Sequence, residues 1–262
     1  MRPDTPLGGS ALDAACGPGH FTLSLAEHLG YARVTGLDLA EAMITKARTH
    51  ALEANLHDRV RFGVGDATNL REIPDASHDL TTCTDALHHL PDLSAVQCVL
   101  RELDRVTKPE GLIVAMDLVR LHTARLTERY VEQLGNDYRT RGLSNFLADF
   151  HHSMYAAWTP SELRTAMPPA SGRWWCQLVP YGLPTIQLIV GLPVGRRRLF
   201  LRTGFPPQAH PLWRAWLPRL HQELGRSWAD RTRAEWRLMR MGLWHGMRHC
   251  VPPRSSVNMN AA

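Results

Sequence analysis

A chain of 262 residues with 44% hydrophobic and 21% charged side chains can bury the core of one large α/β domain, with or without an appendage. Its five cysteines are scattered and form no Cys-x-x-Cys pair, which argues against a disulfide framework and a zinc ribbon. The first ten residues lack the apolar core of a signal peptide, and no run approaches the roughly 18 apolar residues of a membrane span. These features predict a cytoplasmic protein with no transmembrane segment.

The net charge of +5 is the average of two unlike parts. Residues 196–262 contain 13 Arg, no Lys and three acidic residues, so the residues before them are acidic overall. We therefore predict a domain over residues 1–195 and a basic, Arg- and Trp-rich helical tail over residues 196–262. Three interpretations of the tail stay open: a helical cap that completes or dimerises the domain, a surface helix that touches a membrane or RNA, and a product of a shifted reading frame. The composition gives no strong evidence for a nucleic-acid partner.

Strand and helix patterns alternate from residue 10 to about residue 117. The periodicity predicts strands at residues 11–15, 33–38, 60–64, 77–83 and 112–117, and helices at residues 21–29, 40–55 and 93–106. Pro109-Glu110-Gly111 is predicted to be a turn. Alternation at this spacing indicates right-handed βαβ units in a doubly wound, mostly parallel sheet. Such sheets bind ligands beyond the carboxyl ends of their strands.

Residues 121–167 carry helical patterns that are interrupted several times. Thr159-Pro160 predicts the start of one helix, because proline fits the first helical turn. His151 and His152 lie within this segment, and their positions favour surface or packing roles.

Loops that follow the first three predicted strands carry residues suited to a nucleotide-like ligand. Gly17 and Gly19 follow the first strand and allow close approach of the backbone to a ligand. Asp38 ends the second strand, where a carboxylate can accept both hydroxyls of a ribose. Asp66 follows the third strand, where it can accept a hydrogen bond from an adenine amine. With Asp13, these residues are predicted to face one crevice, although each alone has an ordinary explanation as a turn or a helix cap.

Five ordered segments resemble the motifs of class I S-adenosylmethionine-dependent methyltransferases, in the form found in ubiquinone- and menaquinone-biosynthesis enzymes. The resemblance rests on residues 12–19, 34–39, 60–67, 79–92 and 103–111. It implies the seven-stranded, Rossmann-like methyltransferase sheet with an antiparallel last strand and a helical C-terminal extension. Residues 173–179 and 185–190 would supply the antiparallel sixth and seventh strands. Residues 120–170 would form a helical insertion that caps the substrate.

The resemblance also implies S-adenosyl-L-methionine as the cofactor and an unidentified small molecule as the methyl acceptor. The cofactor-binding residues implied by position are Asp13, Ala15, Gly17 and Gly19 on the methionine and ribose side, Asp38 at the ribose hydroxyls, Leu39 and Met43 beside the adenine, Asp66 and Ala67 at the adenine, and Thr84 near the sulfonium. Cys16, inside the loop, is predicted to be a small apolar filler. No metal site is predicted.

Catalytic residues are expected after the fourth strand, where the acceptor would enter. An oxygen or nitrogen acceptor needs a base nearby, and a neutral histidine can take a proton near physiological pH. His88 and His89 are therefore candidates, and Asp85 is a third. For all three, loop shaping, packing or helix capping is the structural alternative.

The chain departs from the family pattern at two points. Ala15 stands where the family often has glycine, which is a mild change. Only nine residues precede Ser10, so the helices that usually cover the cofactor are missing, which predicts a truncated start or an open cofactor site. Two other functions stay open: a catalytically silent methyltransferase-like binding protein, and a nucleotide-dependent oxidoreductase, which the absence of a third glycine after Gly17 and Gly19 disfavours.

Overall fold

A computed structural model describes residues 8–121, 123–140, 142–168, 171–179, 185–193 and 250–251. Its strands are β1 Ser10–Ala14, β2 Arg33–Asp38, β3 Val60–Val64, β4 His78–Thr84, β5 Thr107–Leu118, β6 Arg173–Leu178, β7 Ile186–Pro193 and β8 Cys250–Val251. Its helices are α1 His20–Glu27, α2 Glu41–Glu53, α3 Leu93–Val106, α4 Ala124–Thr140, α5 Ser144–Ala156 and α6 Pro160–Ala166, with a 3-10 helix at Leu87–His89. Apart from β8, the predicted tail lies outside the described residues. None of the described helices combines the length and the apolar composition that crossing a bilayer requires.

The described strands form one sheet in the order β3-β2-β1-β4-β5-β7-β6-β8. Strands β1 to β5 pair in parallel, whereas β7 runs antiparallel to both β5 and β6. The predicted doubly wound, mostly parallel sheet with an antiparallel last strand is confirmed. Of the two strands expected to be antiparallel, only β7 opposes the others, because β6 runs in the direction of β5. The two-residue β8 extends the edge beyond β6.

Helices cover both faces of the sheet, and β1 contributes to both cores. Successive side chains of a strand point to opposite faces. Ala11 packs with α1 and α2 in one buried core, together with Ile44. Leu12 and Ala14 pack with α3 in the other core, together with Leu100. This burial on both sides explains why the central strands are apolar over most of their length.

Several predicted boundaries agree with the structure. The bounds of β2, β3 and α3 are those expected from the periodicity. Helix α3 begins after Asp92, whose carboxylate accepts a hydrogen bond from the Ala95 N–H at 2.9 Å. Helix α6 begins at Pro160 as predicted, and Thr159 and Glu162 form a reciprocal capping box there. Local capping chemistry therefore fixes these ends.

The predicted turn at Pro109-Glu110-Gly111 is wrong, because these residues belong to β5. They form a bulge: His78 pairs with Thr107 while Leu80 pairs with Leu112, so β5 has extra residues opposite β4. A Cβ on Gly111 would lie 2.8 Å from the Asp79 carbonyl oxygen, so glycine is required for this close approach. The residues that suggested a turn allow the strand to bulge without ending.

The guanidinium of Arg173, on β6, holds this bulge in place. Its Nη1 donates to the Gly111 carbonyl at 2.7 Å, and its Nη2 donates to the carbonyls of Thr107, at 3.0 Å, and Lys108. Its Nε donates to the Asp104 carboxylate at 2.8 Å. Arg173 is only 4% exposed, and carbonyls released by the bulge are paired in this way instead of being buried without a partner.

Helices α4 and α5 pack together beside the 3-10 helix Leu87–His89, which α5 contacts. The Glu128 carboxylate of α4 joins them: its Oε1 lies 3.1 Å from His151 Nε2 and accepts from the Tyr155 hydroxyl at 2.7 Å. These contacts agree with the surface or packing role predicted for His151.

Replacing Arg173 with Met is expected to lower the free energy of unfolding by about 3–5 kcal/mol, because the Asp104 charge and the bulge carbonyls lose a buried cationic donor. Methionine keeps most of the apolar volume, so the loss reports on polar contacts. Urea unfolding of Arg173→Met measures it, with Arg101→Met on the exposed side of α3 as the control. Equal unfolding midpoints for the two variants would contradict the role given to Arg173.

Candidate functional site

The loops after β1, β2, β3 and β4 lie at one edge of the sheet, here called the carboxyl edge, because these strands are parallel neighbours. Asp38, at the end of β2, connects three of them. Its Oδ2 accepts from the Gly17 N–H at 2.8 Å, and its Oδ1 accepts from the Ala40 N–H at 2.9 Å. Its carbonyl accepts from the Gly65 N–H at 3.0 Å. The structure thus brings two predicted site residues, Gly17 and Asp38, into direct contact.

Different structural requirements favour glycine at the two glycine positions of the loop after β1. Both have positive φ, +53° for Gly17 and +83° for Gly19. A Cβ on Gly19 would lie 2.6 Å from the Phe62 ring, so this position is closed by packing. A Cβ on Gly17 would meet no atom within 4 Å. Gly17 therefore presents bare backbone to open space, which is the surface that a ligand can approach.

Ala15 and Cys16 complete this loop. Ala15 has a φ of 57°, a left-handed conformation that costs roughly 1 kcal/mol for a residue with a Cβ. Alanine at this position, where the methyltransferases that the sequence resembles often have glycine, is therefore strained and not merely a mild change. Cys16 is buried, and burial, with the nearby charges of Asp13 and Asp38, raises the pKa of its thiol to about 12. The thiol stays protonated, in agreement with its predicted role as a filler.

Asp13 does not line the carboxyl edge, contrary to the expectation that it faces the cofactor, because its side chain is fully buried. Its carboxylate accepts from the Thr22 hydroxyl at 2.7 Å and from the Thr82 hydroxyl at 2.8 Å. Burial raises the pKa of Asp13 to about 6, although both hydroxyls oppose the shift. Asp13 therefore joins β1 to α1 and β4 from within and acts on the loop through its position.

The residues expected beside an adenine surround the ends of β2 and β3. Leu39 is 73% exposed and Val64 is 50% exposed, whereas Met43 is half-buried. Asp66 is exposed, and its Oδ1 accepts from both the N–H and the hydroxyl of Thr68 at 2.8 Å. Val64, which pairs with Asp38 across the sheet, was not identified from the sequence. Val60 and Phe62 of the same strand are buried, so the exposure of Val64 is a signal that only the structure supplies.

Ala67 and Thr84 occupy the remaining predicted positions. Ala67 is partly buried and packs against the core that contains α3. Thr84 is the last residue of β4 and is half-buried. Both lie at the carboxyl edge, Ala67 after β3 and Thr84 at the end of β4, with β2 and β1 between these two strands.

His88 is held by Asp117, a residue that the sequence analysis did not select. The Asp117 carboxylate accepts from the His88 backbone N–H at 2.7 Å and lies 2.6 Å from His88 Nδ1. It also accepts from the Leu118 N–H at 2.7 Å. Because the carboxylate is an acceptor, Nδ1 carries the hydrogen and Nε2 carries the lone pair of a neutral ring. An acidic residue at the end of the apolar strand β5 was the available sequence signal for Asp117.

The His88 side chain is only 4% exposed. Its Nε2 makes no hydrogen bond to the described residues and is not among their buried, unpartnered side-chain atoms, so the small accessible part of the ring includes this nitrogen. The ring of His89 packs on that of His88, with centroids 4.1 Å apart. Trp158 fixes this segment from the helical side, because its Nε1 donates to the Leu87 carbonyl at 2.8 Å.

His89 and Asp85 lie at the same edge in surroundings that favour their neutral forms. Desolvation, followed by the charge of His88, lowers the pKa of His89, while the charges of Asp117 and Asp38 oppose the shift. Although Asp85 is exposed, partial desolvation and then the charge of Asp117 raise its pKa, against the effect of His88. The influence of Asp38 on His89 indicates that the loop after β4 shares the carboxyl edge with the loop after β2.

Comparisons with known proteins agree with this geometry. Residues 11–111 match a family model described as a methyltransferase domain. A demethylmenaquinone methyltransferase of Listeria monocytogenes is 38% identical over 111 residues, which are 42% of this chain and 45% of that protein. A 27-O-demethylrifamycin SV methyltransferase of Amycolatopsis mediterranei is 34% identical over 112 residues, 43% of this chain and 39% of that protein. The matched region thus spans less than half the length of these curated relatives.

A solved structure of a Pyrococcus horikoshii protein resembles the chain in fold. Its TM-score is 0.50 at 23% sequence identity, and the match covers 71% of this chain and 82% of that one. The likeness extends the agreement in fold beyond the region in which the sequences match.

Replacing Asp13 with Asn is expected to remove a pH dependence of stability. The folded-state pKa of about 6 lies above the ordinary value of 3.8, so the folded protein holds the proton more tightly and loses stability as the pH rises from about 4 to 6. The loss in the free energy of unfolding amounts to about 3 kcal/mol. The Asp13→Asn variant does not show this loss, because asparagine does not titrate. Urea unfolding of parent and variant between pH 4 and pH 7 measures the difference.

Asp58→Asn serves as the control for this experiment, because the Asp58 side chain is 93% exposed. The stability difference between the parent and Asp58→Asn is expected to stay nearly constant with pH. A difference between the parent and Asp13→Asn that is equally flat would contradict the raised pKa of Asp13.

Proposed function

We propose that residues 11–111, which match a family model described as a methyltransferase domain, are of the class I S-adenosylmethionine-dependent type, and that the whole protein transfers a methyl group from S-adenosyl-L-methionine to a small organic molecule. The observation that carries the proposal is the convergence, at the carboxyl edge, of open glycine backbone at Gly17, the carboxylate of Asp38 and the His88–Asp117 pair. We further propose that residues 1–195 are the catalytic domain, with residues 120–170 as its substrate cap. The alternative of an oxidoreductase gains no support from any contact at this edge.

The side chains at the carboxyl edge fit the cofactor. Each Asp38 oxygen accepts one backbone N–H and keeps a lone pair, so the carboxylate can also accept the two ribose hydroxyls. The exposed apolar surface of Leu39, with Met43 beside it, would cover one face of an adenine. Asp66 has an oxygen, Oδ2, that can accept from the adenine amine. These are the assignments that the proposal makes for the nucleoside half of the cofactor.

The remaining assignments shape the loop and the methyl-donor end. Gly17 would admit the cofactor, while Asp13, Ala15 and Gly19 would set the loop conformation without touching it. Thr84, at the end of β4, would lie near the sulfonium. Ala67 would contribute to the adenine side of the site.

The chemistry of the transfer asks little of the protein beyond alignment, exclusion of water and removal of a proton. Bound S-adenosylmethionine supplies a methyl group that its sulfonium already activates. We assign His88 Nε2 as the base that would take the proton lost by the acceptor when it gains the methyl group, with neutral S-adenosylhomocysteine as the other product. The positive charge then resides on the imidazole, 2.6 Å from the Asp117 carboxylate, which stabilises it.

His89 and Asp85 have secondary roles in the proposal. Because its pKa is lowered, the His89 ring stays neutral to a lower pH than an ordinary histidine. It can therefore replace His88 as the base or bind the acceptor. Asp85, with a raised pKa and a left-handed φ of 51°, lies where it can accept a hydrogen bond from the acceptor. The names of the two relatives suggest reduced demethylmenaquinone and 27-O-demethylrifamycin SV as acceptors to test first.

Replacing Gly17 with Ala is expected to weaken binding of S-adenosylmethionine and S-adenosylhomocysteine at least tenfold, because the added methyl group occupies the open space that faces the ligand. Gly8→Ala is a matched control: Gly8 also has a positive φ and no atom near a Cβ, but it precedes β1 at the opposite edge of the sheet. Titration calorimetry of both variants measures the effect. Equal affinities would contradict the placement of the cofactor, and a parent that binds neither compound would overturn the proposed function.

Replacing His88 with Ala is expected to lower the rate of methyl transfer roughly a hundredfold or more, with unchanged cofactor affinity, because a positioned base is lost. Asp117→Asn is expected to lower it as well and to change the pH profile, since asparagine no longer selects the tautomer or stabilises the charged ring. Transfer of labelled methyl to the two named acceptors measures the rates. His57→Ala, an exposed histidine ahead of β3, is the control.

A protein that binds the cofactor but labels neither acceptor, nor related phenols and hydroquinones, would favour the silent binding protein over an enzyme. Transfer that is equally fast in the parent and in His88→Ala would leave the proposed function standing and would reject His88 as the base. In that case the same assay on His89→Ala and Asp85→Asn identifies the group that replaces it.

A further inference from the structure

We propose that His50, on α2, is a positioning residue that holds the glycine loop in the conformation that accepts the cofactor. The proposal rests on the function proposed above, and it concerns a residue on the side of the loop away from the open face of Gly17. His50 Nδ1 lies 2.9 Å from the Pro18 carbonyl oxygen. No motif in the sequence draws attention to this histidine.

Three backbone N–H groups of the glycine loop are hydrogen-bonded within the protein, and Pro18 is held by His50. The Cys16 N–H donates to the Leu37 carbonyl at 2.9 Å, the Gly17 N–H donates to Asp38, and the Gly19 N–H donates to the Cys16 carbonyl at 3.0 Å. Pro18 has no N–H, so its carbonyl is the one backbone group through which it can be anchored. That carbonyl receives the hydrogen bond from His50, which completes the set.

The chemistry of this contact fixes the state of the His50 ring. A carbonyl oxygen only accepts hydrogen bonds, so Nδ1 must be the donor. The neutral ring is therefore the Nδ1–H tautomer, with its lone pair on Nε2. His20, the residue after Gly19, stacks on the same ring with centroids 4.8 Å apart and planes 23° apart. His50 thus contacts the chain on both sides of Gly19.

Helix α2 supports the loop at a second point on the same face. Ala47 lies one helical turn before His50, and its Cβ would be 3.0 Å from a Cβ on Gly19. The loop therefore approaches α2 at Gly19 too closely for a side chain there, and it accepts a hydrogen bond from α2 at Pro18. Because α2 starts at the Ala40 N–H that Asp38 binds, the same helix connects the loop to the ribose-binding carboxylate.

A loop that is held before the ligand arrives binds it more tightly, because binding does not have to select a minor conformation. The lost contact is one hydrogen bond, which corresponds to roughly a threefold to tenfold change in affinity. His50 does not touch the cofactor in this scheme. It acts only by raising the fraction of molecules in which the loop already has the conformation that binds the cofactor.

His50→Leu and His50→Asn form a matched pair that tests the proposal. Both side chains branch at Cγ, but only asparagine carries an N–H where histidine has Nδ1. Titration calorimetry with S-adenosylhomocysteine is expected to show three- to tenfold weaker binding for His50→Leu and binding within about twofold of the parent for His50→Asn. Thermal unfolding is expected to rank them the other way, because leucine is the better helix former. If His50 had only a structural role, the more stable of the two variants would also bind S-adenosylhomocysteine more tightly.

Nitrogen-15 NMR of the parent provides a second measurement that does not depend on variants or on the acceptor. At alkaline pH, where the ring is neutral, His50 is expected to show the Nδ1–H tautomer, and the Nε2–H tautomer would overturn the proposal. So would His50→Leu with the affinity of the parent, or His50→Asn as weak as His50→Leu. A parent that binds no S-adenosylhomocysteine overturns both this proposal and the proposed function, whereas the other outcomes affect this proposal alone.

Discussion

Between β1 and β4 the order of strands in the sheet reverses, and the position of every group at the carboxyl edge follows from that reversal. The chain leaves β1 toward one face, where α1 and α2 pack, and leaves β4 toward the other face, where α3 packs. The two connections diverge at the carboxyl edge and leave space between them. The buried Asp13 carboxylate holds the strands together at this point, because Thr22 and Thr82 reach it from opposite sides.

The environment at this point shifts several ionisable groups toward their neutral forms. The pKa values of Asp13, Cys16 and Asp85 are raised and that of His89 is lowered, in each case with desolvation as the largest cause. Partial desolvation of the loop after β4, where His89 and Asp85 lie, suits a transfer in which a proton must leave an uncharged acceptor. The exception is the pair of His88 and Asp117, where a dedicated carboxylate is available to stabilise a charge.

Periodicity and capping were sufficient to predict the strands and helices of the first half of the chain. β2, β3 and α3 end where their apolar patterns end, and the helix at Pro160 begins where a capping residue precedes a proline. The bulge at Gly111 was not predictable, because a bulge is defined by the register of the partner strand β4. The same residues in a single strand give the pattern of a turn.

The residues of the site also fall into those that the sequence predicts and those that only the structure identifies. Gly17 and Asp38 were identified because a tight turn and a strand-end carboxylate have local signatures, and the structure places them in contact. The burial of Asp13 and the importance of Asp117 were not identified, because both depend on partners distant in the chain, Thr82 and His88. His50 belongs to this second class, since its partner Pro18 lies on another element.

The hydrogen bonds from Arg173 to the bulge of β5 also affect the order in which the sheet can form during synthesis. The bulge carbonyls at Thr107 and Gly111 are made more than 60 residues before the guanidinium that pairs with them. At synthesis rates of roughly 5–20 residues per second, they wait several seconds for that partner. During this interval β1 to β4 and their helices can already assemble, whereas the bulge of β5 still lacks the guanidinium that holds it. We expect the nascent chain to complete its sheet from the glycine loop outward, with β6, β7 and β8 as the last strands to join.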